Sequence, residues 1–184
     1  MSRSIVRALV VLLLAVALGF LGGWLWWHWW GPATKGTVYD TVQGPHWYDA
    51  SADGLKREFS ATAQYVVLSA GLGILFGVVV GLLARGRELL FVVLLLVGAA
   101  ATAALTAWFG SELGPPVPPA THANIGKDFL GHLSVNGWSP YLAGPVGALT
   151  GFLVVLLSLH SMSGVPDVSS GTSESEQPRS PAAS

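Results

Sequence analysis

Three histidines, His46, His122 and His132, fall outside the apolar stretches of this sequence in company with Asp40, Asp49, Asp53 and Asp128. Three imidazoles with a carboxylate would suit zinc. Their spacing is not that of a compact metal site: His122 and His132 stand ten residues apart, and no two of the three are separated by one helical turn. They read as solvated loop residues, and no cofactor or metal is expected. Ser134 and Ser139 lie near the histidines but lack the strand–turn–helix setting of a nucleophile elbow, so hydrolase chemistry gains no positive support. The chain has no cysteine, which excludes thiolate metal ligation and a cysteine nucleophile.

A second candidate is the run GGWLWWHWWGP, residues 22–32, with five tryptophans and one histidine. Indole faces converging on a point would form a cage for a cation, at about 0.5–2 kcal/mol per contact. Trp24, Trp26, Trp27, Trp29 and Trp30 instead advance by helical steps, so they point in several directions around one axis. Indole has an apolar body and one N–H donor, which suits the headgroup region of a bilayer. Together with Trp108 and Trp138, the five are expected to form a belt of membrane-interface anchors. Gly31-Pro32 should end their helix, because proline disfavours helical geometry in the residue before it.

The elements that would position such a belt follow from composition. Hydrophobic residues make up 52% of the chain and charged ones 10%, against about 25% charged in an ordinary soluble domain. Net charge is −1, which does not suggest a nucleic-acid partner. A bilayer core about 30 Å thick needs roughly 20 apolar residues of helix. Four stretches qualify, about 8–30, 59–84, 89–109 and 141–160. The expected fold class is all-α: a polytopic membrane protein whose domain, residues 1–160, has four transmembrane helices and two long loops. The first apolar run exceeds the roughly 7–15 residues of a signal-peptide core and is followed by tryptophans, so it is read as a retained span. Residues 161–184, rich in Ser, Pro and acidic side chains, read as a disordered tail.

Only Arg85, Gly86, Arg87 and Glu88 separate spans two and three, which predicts a tight antiparallel reversal with Gly86 free to take positive φ. Both long loops then lie on one side and both termini on the other. Arg3, Arg7, Arg85 and Arg87 crowd into two short segments, whereas Lys35, Lys56, Arg57 and Lys127 are spread through loops that also hold acidic residues. The density favours cytoplasmic termini and extracytoplasmic loops in the cell membrane.

Span two carries Gly73, Gly77 and Gly81 at four-residue intervals, a groove that lets another backbone come close. Counting outward from the reversal sets Gly73 level with Ala99 and Ala70 with Ala103, while Gly77 and Gly81 face Leu95 and Val92. The rest of the groove is left for Gly147 and Gly151 of span four, or for a second copy of the chain. Pro145 is expected to kink or loosen the start of span four, with Thr150 bonding to the carbonyl it frees. The apolar stretches 8–27, 59–84, 89–109 and 141–159 hold no Asp, Glu, Lys, Arg or His, and Gln64, Ser69, Thr102, Thr106, Thr150 and Ser158 are all expected to bond to backbone. In the loops, Asp53 is the expected N-cap of span two, and GPPVPPATHA, residues 114–123, is expected to be extended.

The tripeptide Ala52-Asp53-Gly54 and the stretch 64–114, with its long second span, short basic reversal and alanine-rich third span, resemble an uncharacterised actinobacterial family of four-span integral membrane proteins. The resemblance implies the topology above and no catalytic residue. Function is therefore expected to be that of a non-enzymatic subunit, scaffold or interaction protein of the cell envelope. Its partners would be the lipid bilayer, other membrane proteins or a second copy. A small oligomeric channel or transporter, and an envelope enzyme using the loop His and Asp residues, are the alternatives.

Overall fold

The computed structural model describes the backbone of residues 3–49, 51–84 and 88–163. The reversal around Gly86 and all but the first three residues of the tail 161–184 lie outside these described residues. The chain is a four-helix membrane bundle with a small sheet at one end. The helices are α1 (Arg3–Trp30), α2 (Ala52–Leu83), α3 (Glu88–Leu113) and α4 (Ala143–Ser163). Each contains a stretch long and apolar enough to cross a membrane: Ile5–Trp30, Phe59–Leu83, Leu89–Leu113 and Ser139–Leu159.

These helices are nearly as apolar on their outer faces as within, with Leu13, Val67, Val97 and Leu157 among the outward side chains. Lipid accepts such a surface, so burial of oil cannot choose which faces meet, and close backbone contact decides instead. The glycines show where. A methyl group at Gly73 would collide with the Gly144 carbonyl, and one at Gly77 with that of Ala148. In return, Gly147 approaches the Ala70 carbonyl and Gly151 that of Ile74. The α2 and α4 glycines thus alternate along one seam, each opposite a carbonyl of the other helix, where Cα–H groups can donate weakly.

A second seam joins α1 to α3. Gly19 lies under Leu105, Gly22 under Thr106, and Gly23 against the backbone of Gly110. Two interhelical hydrogen bonds reinforce it: Thr102 Oγ1 donates to the Ala15 carbonyl at 3.0 Å, and Thr106 Oγ1 to that of Gly19 at 3.2 Å. In both seams residue numbers rise together, so the tightest pairs are parallel helices rather than chain neighbours. The expected small-on-small register of α2 with α3 is not formed. Those two helices face each other across the core, where the Phe76 ring lies over Gly98. Ala99 and Ala103 line the approach of Gly144 instead.

The core of the terminal half is Val11, Phe76, Val80, Phe91 and Leu95, all essentially inaccessible. Polar residues behave unevenly. Thr150 and Ser158 bond the carbonyls four residues back, Val146 and Val154. Gln64 Oε1 and Ser69 Oγ, expected to find backbone, have no hydrogen-bond partner among the described residues. Pro145 falls in the first turn of α4, just after a 3₁₀ turn at Ser139–Leu142, where its missing N–H costs little. Thr150 therefore bonds Val146 rather than a carbonyl freed by the proline. Helix α2 starts at Ala52, which puts Asp53 inside the first turn and Ser51 at the cap position; Ser51 is held by Asp49 through N–H and O–H donation at 3.0 and 2.6 Å.

The long connections are more ordered than their polarity suggested. Strands β1 (Lys35–Thr41), β2 (Gly44–Tyr48) and β3 (Asp128–Leu130) form one antiparallel sheet in the order β2-β1-β3. Gly44, at φ +103°, closes the β1–β2 reversal after Val42 and Gln43. The 114–121 segment has neither helix nor strand, followed by a 3₁₀ turn at His122–Asn124.

The seam makes a sharp contrast between glycines of one helix. Gly77→Ala forces α2 and α4 apart and should destabilise the bundle by about 1–3 kcal/mol, as overpacking does. Gly71→Ala, with nothing within 4 Å of the added methyl, should be neutral or stabilise by up to about 1 kcal/mol through helix propensity. Thermal unfolding of both variants in detergent distinguishes them.

Candidate functional site at the loop end of the bundle

The elements converge at the end where both loops lie. Helix α1 stops at Trp30 because Gly31 adopts φ +81°, which turns the chain into β1. One face of the sheet looks toward the rest of the chain: Val38 is fully buried, and Trp47, its cross-strand partner, covers Gly36 and Gly131. Both positions need glycine, since a Cβ there would meet the indole within 2.6 and 2.8 Å respectively. The Trp47 Nε1–H donates to the Phe129 carbonyl at 3.1 Å, tying the first loop to the second. On the opposite face Tyr39 pairs with His46, and Tyr48 stands diagonally beside them, all exposed.

Beyond β3 the chain enters the mouth of the bundle. Leu133 is fully buried against a cluster of Trp26, Ala61, Tyr65 and Ala107, with Trp27 and Trp30 packed half-buried around it. Trp26 is the correction to the anchor belt: it is 0% exposed, and its Nε1–H donates to the Ala61 carbonyl at 2.8 Å. It occupies the one angular position of the cluster that turns toward α2 and α3. Trp24, Trp29, Trp108 and Trp138 point outward, and Trp24 stacks on His28 with ring planes 9° apart. Trp26 continues an aromatic chain through Tyr65, 5.3 Å between centroids, to Tyr141, a further 5.5 Å. The Tyr65 hydroxyl donates to the Ala103 carbonyl at 2.9 Å.

Two clefts flank residues 132–141. The first, about 340 Å³, is lined by Trp108, Ser111, His132, Ser134 and Tyr141 among others. His132 Nδ1 lies 2.8 Å from the Pro115 carbonyl. A carbonyl only accepts, so Nδ1 is the donor in this contact. Ser111 spends its proton on the Trp108 carbonyl, and no serine–histidine hydrogen bond spans the cleft among the described residues. The second cleft, about 650 Å³, runs down the side of α2 between Phe59, Thr62, Ala63, Val66 and Val67 and the stretch Asn136, Ser139, Pro140. The Asn136 N–H donates to Thr62 Oγ1 at 3.2 Å and holds its wall.

The histidines do not converge. His46 is on the open face of the sheet with Nδ1 at 3.2 Å from the Gly44 carbonyl, His122 is in the 3₁₀ turn, and His132 is in the cleft. No group of three or more metal-binding side chains occurs among the described residues. Asp128 instead accepts the Thr37 hydroxyl at 2.6 Å, bracing β1 to β3. Sequence reasoning missed Tyr65, Leu133, Tyr141 and Trp47; the alternation in KGTVYDT and the tryptophan two residues after Pro45 were the available signals for a hairpin with one covered face. Among known proteins, no family model, no curated protein and no solved structure matches the chain.

Two conservative tryptophan changes separate core from surface. Trp26→Phe removes a buried donor and should lower stability in detergent by about 0.5–1.5 kcal/mol, the net worth of one such bond. Trp29→Phe, on an exposed indole, should leave the melting temperature unchanged.

Proposed function

We propose that this chain is a non-enzymatic subunit or scaffold of the cell membrane, which holds the β1–β3 sheet outside the bilayer as a contact surface for another envelope protein. The observation that carries this reading is the joint folding of both long connections into one sheet braced to the bundle. Connections serving only to join helices need no such order. The open face of that sheet carries Tyr39, His46 and Tyr48, and the fully exposed Val42 stands at the hairpin tip. Aromatic and apolar side chains displayed together on a rigid surface support a protein contact.

The interior speaks against transport through one chain, because Phe76, Val80, Phe91 and Leu95 fill the space between the helices. The His132 cleft offers hydrogen-bonding groups without a paired base and nucleophile, which supports recognition over catalysis. Cytoplasmic termini and extracytoplasmic loops are supported by Arg3, Arg7, Arg85 and Arg87 gathering at the terminal end. The resemblance to four-span actinobacterial proteins belongs with the same proposal.

The lack of native cysteines makes topology directly accessible to single-cysteine variants. Lys35→Cys should label with a membrane-impermeant maleimide on intact cells, and Gly86→Cys only after permeabilisation; the reverse pattern inverts the orientation. A photo-crosslinking residue at Tyr48 should then trap one heterologous envelope protein, and adding Val42→Asp should weaken that adduct about tenfold, the loss expected of one interface anchor. Adducts to lipid or to itself alone would sink the partner reading.

A further inference from the structure

The larger cleft is open along α2 toward the surroundings of the bundle, with polar groups on one side and apolar side chains on the other. Thr62 and Asn136, hydrogen-bonded to each other, and Ser139 supply its polar lining, and Ala63, Val66 and Val67 its apolar floor, with Ala63 and Val67 open to the outside. From Phe59 to Val67 the helix descends about 12 Å at 1.5 Å per residue, most of one hydrocarbon leaflet. Phe59 is also where the apolar span begins, so the cleft starts near headgroup level and runs down to acyl-chain level. Lys56 is exposed one turn above Phe59. It lies seven residues before Ala63, and two turns of helix bring it back within about 20° of that face. Exposed Trp138 borders the same cleft through its neighbour Ser139.

We infer that this cleft is a seat for one anionic glycerophospholipid of the leaflet at the loop end. One acyl chain lies along Ala63, Val66 and Val67, and the phosphate is drawn to Lys56 and to the hydrogen-bonding groups of Asn136 and Ser139. The charge of Lys56 complements an anionic headgroup and gives no advantage to a zwitterionic one. At this depth, lipid is also the only solvent available to fill an apolar groove. The inference depends on the membrane spans and is independent of what the sheet contacts.

The test is native mass spectrometry of the full chain, released from detergent after incubation with equimolar phosphatidylglycerol and phosphatidylcholine. The wild-type chain should retain one phosphatidylglycerol, preferred about fivefold, the effect of one lysine near an anionic surface. Lys56→Gln should bring the two lipids to parity. Ala63→Trp should fill the floor and cut phosphatidylglycerol retention at least as far, while Val97→Trp, on a lipid-facing position of α3, should change nothing. If Ala63→Trp loses helix content, Val67→Trp takes its place on the same wall. Equal retention of the two lipids by the wild-type chain overturns the inference, as does undiminished retention in a folded variant with the floor filled.

Discussion

Close approach of backbone to backbone at glycine is the interaction on which this structure depends. In water, an apolar stripe on each helix would select its partners; here every face is apolar, and lipid satisfies it as well as another helix would. What distinguishes one face from another is how near an opposing main chain can come. On α2 and α4 the answer is Gly73, Gly77, Gly147 and Gly151, each placed against a carbonyl of its partner. On α1 and α3 it is Gly19, Gly22 and Gly23, with Thr102 and Thr106 supplying directional bonds.

Order continues into the loops. Four alternating crossings bring the α1–α2 and α3–α4 connections to the same end of the bundle. The two passes meet there, and their extended segments satisfy backbone groups in each other as a three-stranded sheet. Trp47 fastens the passes by bonding Phe129, and Leu133 anchors the second pass in the bundle mouth.

The spans were legible in the sequence because length and apolarity suffice for a membrane helix, whatever its neighbours. The glycine groove was legible too, since a four-residue spacing puts small residues on one face without reference to a partner. The partner was not. The brief 85–87 reversal suggested α2 against α3, but a short turn only limits the distance between helix ends and permits them to stand diagonally. Trp26 was unreadable for a related reason: five tryptophans in seven positions leave rotational phase undetermined, and only the placement of α2 and α3 decides which indole turns inward. The sheet escaped because its strands are short and polar, and β1 pairs with β3 across some ninety residues of chain.

The two halves of the bundle are held by different means, and this bears on where a site can exist. Toward the termini, large aliphatic and phenyl side chains fill the space between helices, and dispersion of this kind tolerates small rotations. Toward the loops, the Trp26, Tyr65 and Thr106 bonds each specify a single carbonyl, so the helices there are fixed in rotation as well as in distance. Both clefts and the sheet are built on that half. A surface meant to meet a partner or a lipid in one pose needs such directional support beneath it.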